Sequence, residues 1–440
     1  MTATSRKTRR VAVGAVLVLA ITAMACSSTN STATTTTTSG GSSTTAVSSK
    51  IPSSAFSDHT GITSSSVRIG NVSTLAVGGL FKGAAVGTKA YADYINSTGG
   101  VNGRRLVVDS ADDGFSGAGN RQATQNAITN DFALVGSFSL QDNFGGALLK
   151  ANPGMPNVSM VLDSATGKLP NVFSAVPLDG GWATGPLMYF KKKFPQDADA
   201  VGTVISNVGS AETDWVGEKY ALEKEGFKVV YSPTIPVTQT DFTQNVIAMR
   251  NAGVKILFID QLPQNYASAL LKNLVQQNFH PQVVLGGASY SNVLVANSGG
   301  PAALTGVYFD QQASLYLGQD SANIPAVALF NHWVQVADPG FHADLFTLYG
   351  WLSAQLFSQG LKNAGSDPSR GSLLQALSKI TSFSGDNLTS TNDPAAKTVG
   401  PCYIVGKFVN GEYTRVDDPP FSSGTNGYRC DGQYVLPPGS

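Results

Sequence analysis

The sequence is short of charge, histidine, cysteine and catalytic signatures. Only 13% of its 440 residues are charged, and 29 basic against 29 acidic side chains leave a formal net charge of zero. A chain that neutralises nucleic-acid phosphates needs a basic surplus, and this one has none. The four histidines are His59, His280, His332 and His342. None forms an HExxH pair or stands at ligand spacing from a cysteine, so no metal site is expected. Gly114-Phe115-Ser116-Gly117-Ala118 lacks the last glycine of a GxSxG elbow, and neither a GxxxxGK[ST] loop nor a GxGxxG run occurs. Nothing assembles a nucleophile, a base and an orienting group, so neither an enzyme nor a cofactor is expected. Cysteine appears three times, at Cys26, Cys402 and Cys430, and an odd count calls for an explanation.

What is present falls into three unlike parts. Arg6, Lys7, Arg9 and Arg10 precede a 14-residue apolar run at 11–24. That run is too short for a permanent membrane helix, which needs about 20 apolar residues, but it suits an export signal. Ala23-Met24-Ala25-Cys26 resembles the lipobox of bacterial lipoproteins, which implies a signal peptide over 1–25 and lipidation of Cys26. No acid precedes Cys26, so the chain beyond the signal carries 25 basic and 29 acidic groups, a net charge of −4. In the next stretch 17 of the 24 residues at 27–50 are Ser or Thr. With almost nothing apolar to bury, it cannot offset the entropy of ordering, and a disordered tether over 26–60 is expected.

From about residue 62 the pattern alternates between short β-branched runs and amphipathic helices. Strands are expected at 67–72, 106–110, 133–136, 157–161, 173–176, 200–206, 228–233, 256–260, 283–285 and 307–310. Helices are expected at 82–96, 121–130, 143–152, 182–194, 212–225, 242–251 and 266–277. Ile256-Leu257-Phe258-Ile259 is apolar on both faces, as a parallel strand covered by helices must be. The alternation predicts an α/β fold with doubly wound, mostly parallel sheets, whose ligands gather beyond the carboxyl ends of the strands. Longer helices follow at 325–337, 343–363 and 367–380, the last with Asp367 placed to cap it and Pro368 in its first turn. An Asn410-Gly411 turn joins strands at 402–409 and 412–416. In an oxidising compartment Cys402 and Cys430 are expected to pair, and the chain-entropy model assigns their loop roughly 3–4 kcal/mol.

One family resemblance fits these segments. Val67-Arg68-Ile69-Gly70-Asn71-Val72, Gly83-Ala84-Ala85, the helix 90–96, Gly99-Gly100-Val101-Asn102-Gly103-Arg104, Asp112-Asp113-Gly114 and Phe132-Ala133-Leu134-Val135-Gly136 together resemble type I periplasmic binding proteins. The similarity is to the substrate-binding lipoproteins of branched-chain amino acid (Leu/Ile/Val) ABC transporters, and it extends over about 62–380. It implies two lobes joined by a hinge. The first lobe would take 62–178 and 312–390, and the second 179–311 and 391–440, including the disulfide-closed tail. It further implies capture of an amino acid or related solute by hinge closure and delivery to an ABC permease. The protein would be a monomer with no nucleic-acid partner, anchored through Cys26 to the outer face of the bacterial plasma membrane. A ligand sensor of the same fold is the alternative, and a lipid-anchored enzyme the remoter one.

The resemblance also implies ligand contacts at strand ends. In the first lobe these positions hold Ser137, Ser139 and Gln141, then Leu162, Asp163 and Ser164. A helix starting near Asp142 offers N–H donors and a positive end suited to a carboxylate, although Ser139 fits a capping role equally well. In the second lobe the family uses aromatic residues and an acid that pairs with the ligand's ammonium. The matching positions include Glu212, Gln261 and Tyr290. The acid expected near Gly286-Gly287 is missing, and Glu212 or Asp163 would have to replace it. Phe81, Phe138, Trp215 and Tyr290 would line an apolar cleft, each with core packing as its alternative.

Overall fold

The computed structural model describes residues 51–76, 79, 81–177, 180–236 and 238–439. The expected signal peptide, the lipobox at Cys26 and the Ser/Thr-rich stretch to residue 50 lie outside the described residues. Residues 51–60, expected in the tether, are instead structured. Residues Ser53–Ser57 form a 3-10 turn with Ala55 buried, and Asp58 pairs with Arg370 at 2.9 Å. Among the described residues no helix is long and apolar enough to cross a membrane.

The first sheet is all parallel, in the order β2-β1-β3-β4-β5. Its strands are β1 (Ser66–Ser73), β2 (Arg105–Asp112), β3 (Ala133–Val135), β4 (Asn157–Val158) and β5 (Val172–Phe173). Helices α1 (Lys82–Ser97), α2 (Gly117–Asn130), α3 (Asp142–Ala151) and the short α4 (Ser164–Gly167) connect them. Val67, Ile69, Leu134, Val135 and Val158 are buried between helices on both faces, as parallel strands require.

The second lobe contains β6 (Trp182–Ala183), α5 (Thr184–Lys193), β7 (Val201–Gly202), β8 (Ile205–Ser206), α6 (Gly209–Lys224), β9 (Val229–Tyr231), β10 (Thr234–Ile235), α7 (Thr243–Asn251), β11 (Ile256–Ile259), α8 (Gln264–Gln276), β12 (Gln282–Leu285), α9 (Asn292–Asn297) and β13 (Tyr308–Gln311). The chain then returns as α10 (Pro325–Ala337), α11 (Leu345–Asn363) and α12 (Arg370–Leu377), with α10 and α11 packed on α1. It ends in β14 (Ile404–Val409), β15 (Glu412–Arg415) and β16 (Tyr434–Val435). The second sheet runs β15-β14-β13-β12-β11-β7-β9, antiparallel only where β14 meets β13 and β15.

Several sequence expectations shift in the structure. The single strand expected at 200–206 is broken in two, and the one expected at 228–233 shortens to β9, with β10 following beyond it. Pro233, which has no N–H for a ladder, separates β9 from β10. The helix expected from 182 starts at Thr184, because Trp182 and Ala183 pair with Val435 and Tyr434. Asp367 does not cap the helix expected at 367–380. Ser369 does, accepting from Ser372 N at 3.1 Å, and the helix begins at Arg370 beyond Pro368.

Two close approaches hold the first lobe's side of the cleft. A Cβ on Gly87 would overlap the Thr347 carbonyl, and one on Gly350 would overlap the Ala84 carbonyl, so α1 and α11 touch backbone to backbone. Between the sheets, Ala313 bridges Thr389 in antiparallel fashion, with Ser314 N donating to Leu388 O (2.9 Å) and Ser390 N to Gln312 O (2.7 Å). Cys402 and Cys430 form a disulfide, and Tyr403 and Arg429 exchange backbone hydrogen bonds at 2.8 Å beside it. Arg415 on β15 holds the fully buried Asp320 through Nε (2.9 Å) and Nη2 (2.7 Å), fixing the tail to the sheet edge.

Candidate functional site

A cleft of about 600 Å³ lies between the two sheets and is lined from both. It sits where the physics of parallel sheets puts it, beyond the carboxyl ends of the strands. From the first lobe come Phe138 and Leu140 after β3, and Met160 and Leu162 after β4. From the second come Ser206 at the end of β8, Asp260 and Gln261 after β11, Gly286 and Gly287 after β12, and Asp310 and Gln311 in β13.

The first-lobe wall is apolar. Phe81, which starts α1, Phe138 and Phe346 of α11 form a triangle of tilted and edge-on rings, with centroids 4.6–4.7 Å apart. Tyr349, one turn along α11, also faces the cleft. Edge-to-face pairs of this kind contribute about 0.5–1.5 kcal/mol each beyond the area they bury. The close α1–α11 contact at Gly87 and Gly350 lets residues from two helices meet here.

The second-lobe floor is acidic. Asp260 and Asp310 stand at strand ends on either side of β12, Asp214 lies on α6, and Glu218 is one helical turn further along α6, fully buried. Burial pushes the Asp214 carboxyl up to about 6. Burial also raises Asp260, and raises Asp310 with added repulsion from Asp260. Glu218 is raised by burial first, then by the Asp260, Asp310 and Asp214 charges. Gln261 Nε2 donates to Glu218 Oε2 at 2.9 Å, while Glu218 Oε1 and Gln311 Oε1 find no donor. Among the described residues no Lys, Arg or His belongs to the lining.

A sequence profile of the periplasmic binding protein family matches residues 66–412, most of the chain. The chain belongs to that family. Its two-lobed α/β fold with mostly parallel sheets is the type I form. Among curated proteins it is 23% identical to Leu/Ile/Val-binding protein homolog 1 of Brucella abortus, over 74% of this chain and 85% of that protein. It is 22% identical to an amino acid binding protein of Pseudomonas aeruginosa, covering 64% of this chain and 75% of that one. Among solved structures it resembles a fatty acid ABC transporter substrate-binding protein from Thermomonospora curvata (TM-score 0.65, 16% identity, 86% and 94% covered). It also resembles an ABC transporter solute-binding protein from R. palustris in complex with benzoate (TM-score 0.66, 18% identity, 80% and 95% covered). At these identities the structures speak for the fold alone.

In this binding protein the residues expected at the site separate into two groups. Phe81 and Gln261 line the cleft, together with Phe138 and Leu162. The others lie elsewhere. Ser137 Oγ accepts from Val72 N. Ser139 is buried, donates to Asp113 and accepts from Gln141 N at 2.9 Å, so it caps no helix, and Gln141 opens α3 without a side-chain cap. Asp163 caps α4 through Thr166 N at 2.9 Å, with Ser164 the first residue of that helix. Glu212 is exposed in the first turn of α6. Tyr290 is a core residue whose hydroxyl accepts from Leu317 N at 3.0 Å, and Trp215 packs against the second-lobe core.

Near Gly286, where the acid was expected, the neighbouring strand places a carboxylate. A Cβ at Gly286 would overlap Asp260 Oδ1, so the bare backbone makes room for that carboxylate. Asp260 and Asp310 end apolar strands and Asp214 and Glu218 share a helix face at i, i+4, a pattern visible in the sequence but read there only as parts of two strands and a helix.

Proposed function

We propose that the protein is the solute-binding component of an ABC importer, taking a small amino-acid-related solute between its lobes and presenting it to a membrane permease. The observation that carries this is the cleft lined from both lobes, with the antiparallel Ala313–Thr389 contact beside it as the flexing point. A ligand touching both walls has higher affinity for the closed form than the open one, and that difference is what drives closure. Phe81 and Gln261 are proposed contacts from opposite walls. Cys26 is the proposed lipid attachment point, holding the body to the outer face of the plasma membrane through the Ser/Thr-rich segment; Cys26→Ala is expected to release the protein from the membrane fraction.

The deciding experiment is a thermal-shift screen of the full-length chain against amino acids, amines, amides, short peptides and small carboxylates, followed by small-angle scattering of any complex. A rise in melting temperature that grows with ligand concentration, with a smaller radius of gyration, supports solute capture. Absence of any shift across the whole library refutes it.

A further inference from the structure

We propose that the cleft takes an organic cation with N–H donors on an apolar body and no carboxylate of its own, such as a primary amine or an amidine. This rests on the assignment of the cleft as the solute site and narrows its substrate class. Free amino acids, and carboxylates like the benzoate held by the R. palustris protein, fall outside it.

The lining offers a carboxylate very little. It contains no Lys, Arg or His among the described residues. Several of the backbone donors at the first-lobe strand ends are already spent on the protein. Leu162 N and Asp163 N donate to Asp142 Oδ2 (2.6 and 3.3 Å). Ser137 N donates to Ser159 Oγ, Phe138 N to Ser73 Oγ, and Gln141 N to Ser139 Oγ, at 2.9–3.0 Å. Phe138, Leu140 and Leu162 cover that wall with carbon. A carboxylate placed against that wall would lose its hydration with no cationic side chain to replace it, and burying a charge without a counter-charge is costly.

The floor, in contrast, is rich in acceptors. Gln311 is 94% buried (6% exposed), its Nε2 donates to Ser314 O at 3.1 Å, and its Oε1, in a side chain that lines the cleft, has no donor. Gln264, also in the lining, has an unpaired Oε1 as well. Buried acceptors left unpaired are costly, and a ligand bearing N–H groups removes the cost. Asp214, Asp260 and Asp310 add carboxyls to the same floor. The N-termini of α6 and α8 border the cleft too, at Ser210 and Gln264. Each helix end carries about half a positive charge, so the two together leave these acids and Glu218 only partly offset. A cation adds a further full charge beside them, and the apolar Phe81–Phe138–Phe346 wall opposite takes its body.

Matched probes test this on the full-length chain by isothermal titration calorimetry. 2-Phenylethylamine, hexylamine and benzamidine are compared with phenylalanine, 3-phenylpropionate, hexanoate and 2-phenylethanol. The amine is expected to bind at least about tenfold more tightly than its carboxylate-bearing or neutral counterpart, the least that one desolvated charge pair contributes. Asp260→Asn should weaken amine binding by a similar factor and leave 2-phenylethanol unaffected. Gln311→Leu is the second variant, and melting curves of both verify folding. Tighter binding of a carboxylate probe, equal binding of 2-phenylethanol, or no binding of any amine overturns the cation assignment. In the first two outcomes solute capture still stands; it falls only if the wider library also gives nothing.

Discussion

The acidic floor predicts that the binding site destabilises the protein that carries it. Asp214 isolates the effect because burial alone raises its carboxyl, from the ordinary 3.8 to about 6. The unfolded chain therefore ionises at lower pH than the folded one. Between those values the folded state holds the extra proton, so stability falls as pH rises through the window from about 4 to about 6 and is constant above it. A shift of about two units corresponds to roughly 3 kcal/mol at neutral pH, since each unit is about 1.4 kcal/mol. Asp214→Asn has no proton to lose. Its stability should equal that of the parent near pH 4 and exceed it by roughly 3 kcal/mol at about pH 7.5. Glu218, Asp260 and Asp310 are raised in the same direction and remain in both proteins, so the difference reports Asp214 and a smaller relief of Glu218. Urea unfolding followed by tryptophan fluorescence at a series of pH values reads it directly. A gap that does not change with pH, or a variant less stable than the parent at neutral pH, would refute the argument that burial of this carboxyl opposes folding.

Two further substitutions test the frame around the site. Arg415→Leu leaves Asp320 charged and fully buried, with Leu315 N at 2.7 Å as its remaining partner; denaturant unfolding should show a loss of about 3–5 kcal/mol, whereas Arg415→Leu with Asp320→Leu should recover most of it. Gly350→Ala drives a methyl into the Ala84 carbonyl and forces α1 from α11, so a loss of about 1–3 kcal/mol and weaker solute binding through Phe346 and Tyr349 are expected, and an unchanged melting curve would contradict the close packing.

Much of the architecture was legible because it follows from local periodicity. Ile256-Leu257-Phe258-Ile259 is a doubly covered strand whatever surrounds it, and Asn102-Gly103 and Asn410-Gly411 both turn with positive φ as such pairs prefer. The cysteine pair at 402 and 430 was readable from compartment and count. The site was less so. Ser137, Ser139 and Asp163 stand at the right strand ends, but a strand end fixes only the approximate place of a side chain, and each of these is claimed by a nearer backbone partner.

The sequence by itself determined the alternation of strands and helices and the position of the crevice, because pleat and helical period are properties of short segments, and the two-lobed type I fold followed from the family resemblance of those segments. Only the tertiary structure decided what faces the crevice. Asp214, Glu218, Asp260 and Asp310 come from a helix and two strands separated by scores of residues, and Phe81, Phe138 and Phe346 from three more segments. Their chemistry depends on mutual burial and shared charge, and neither exists until the segments are packed together.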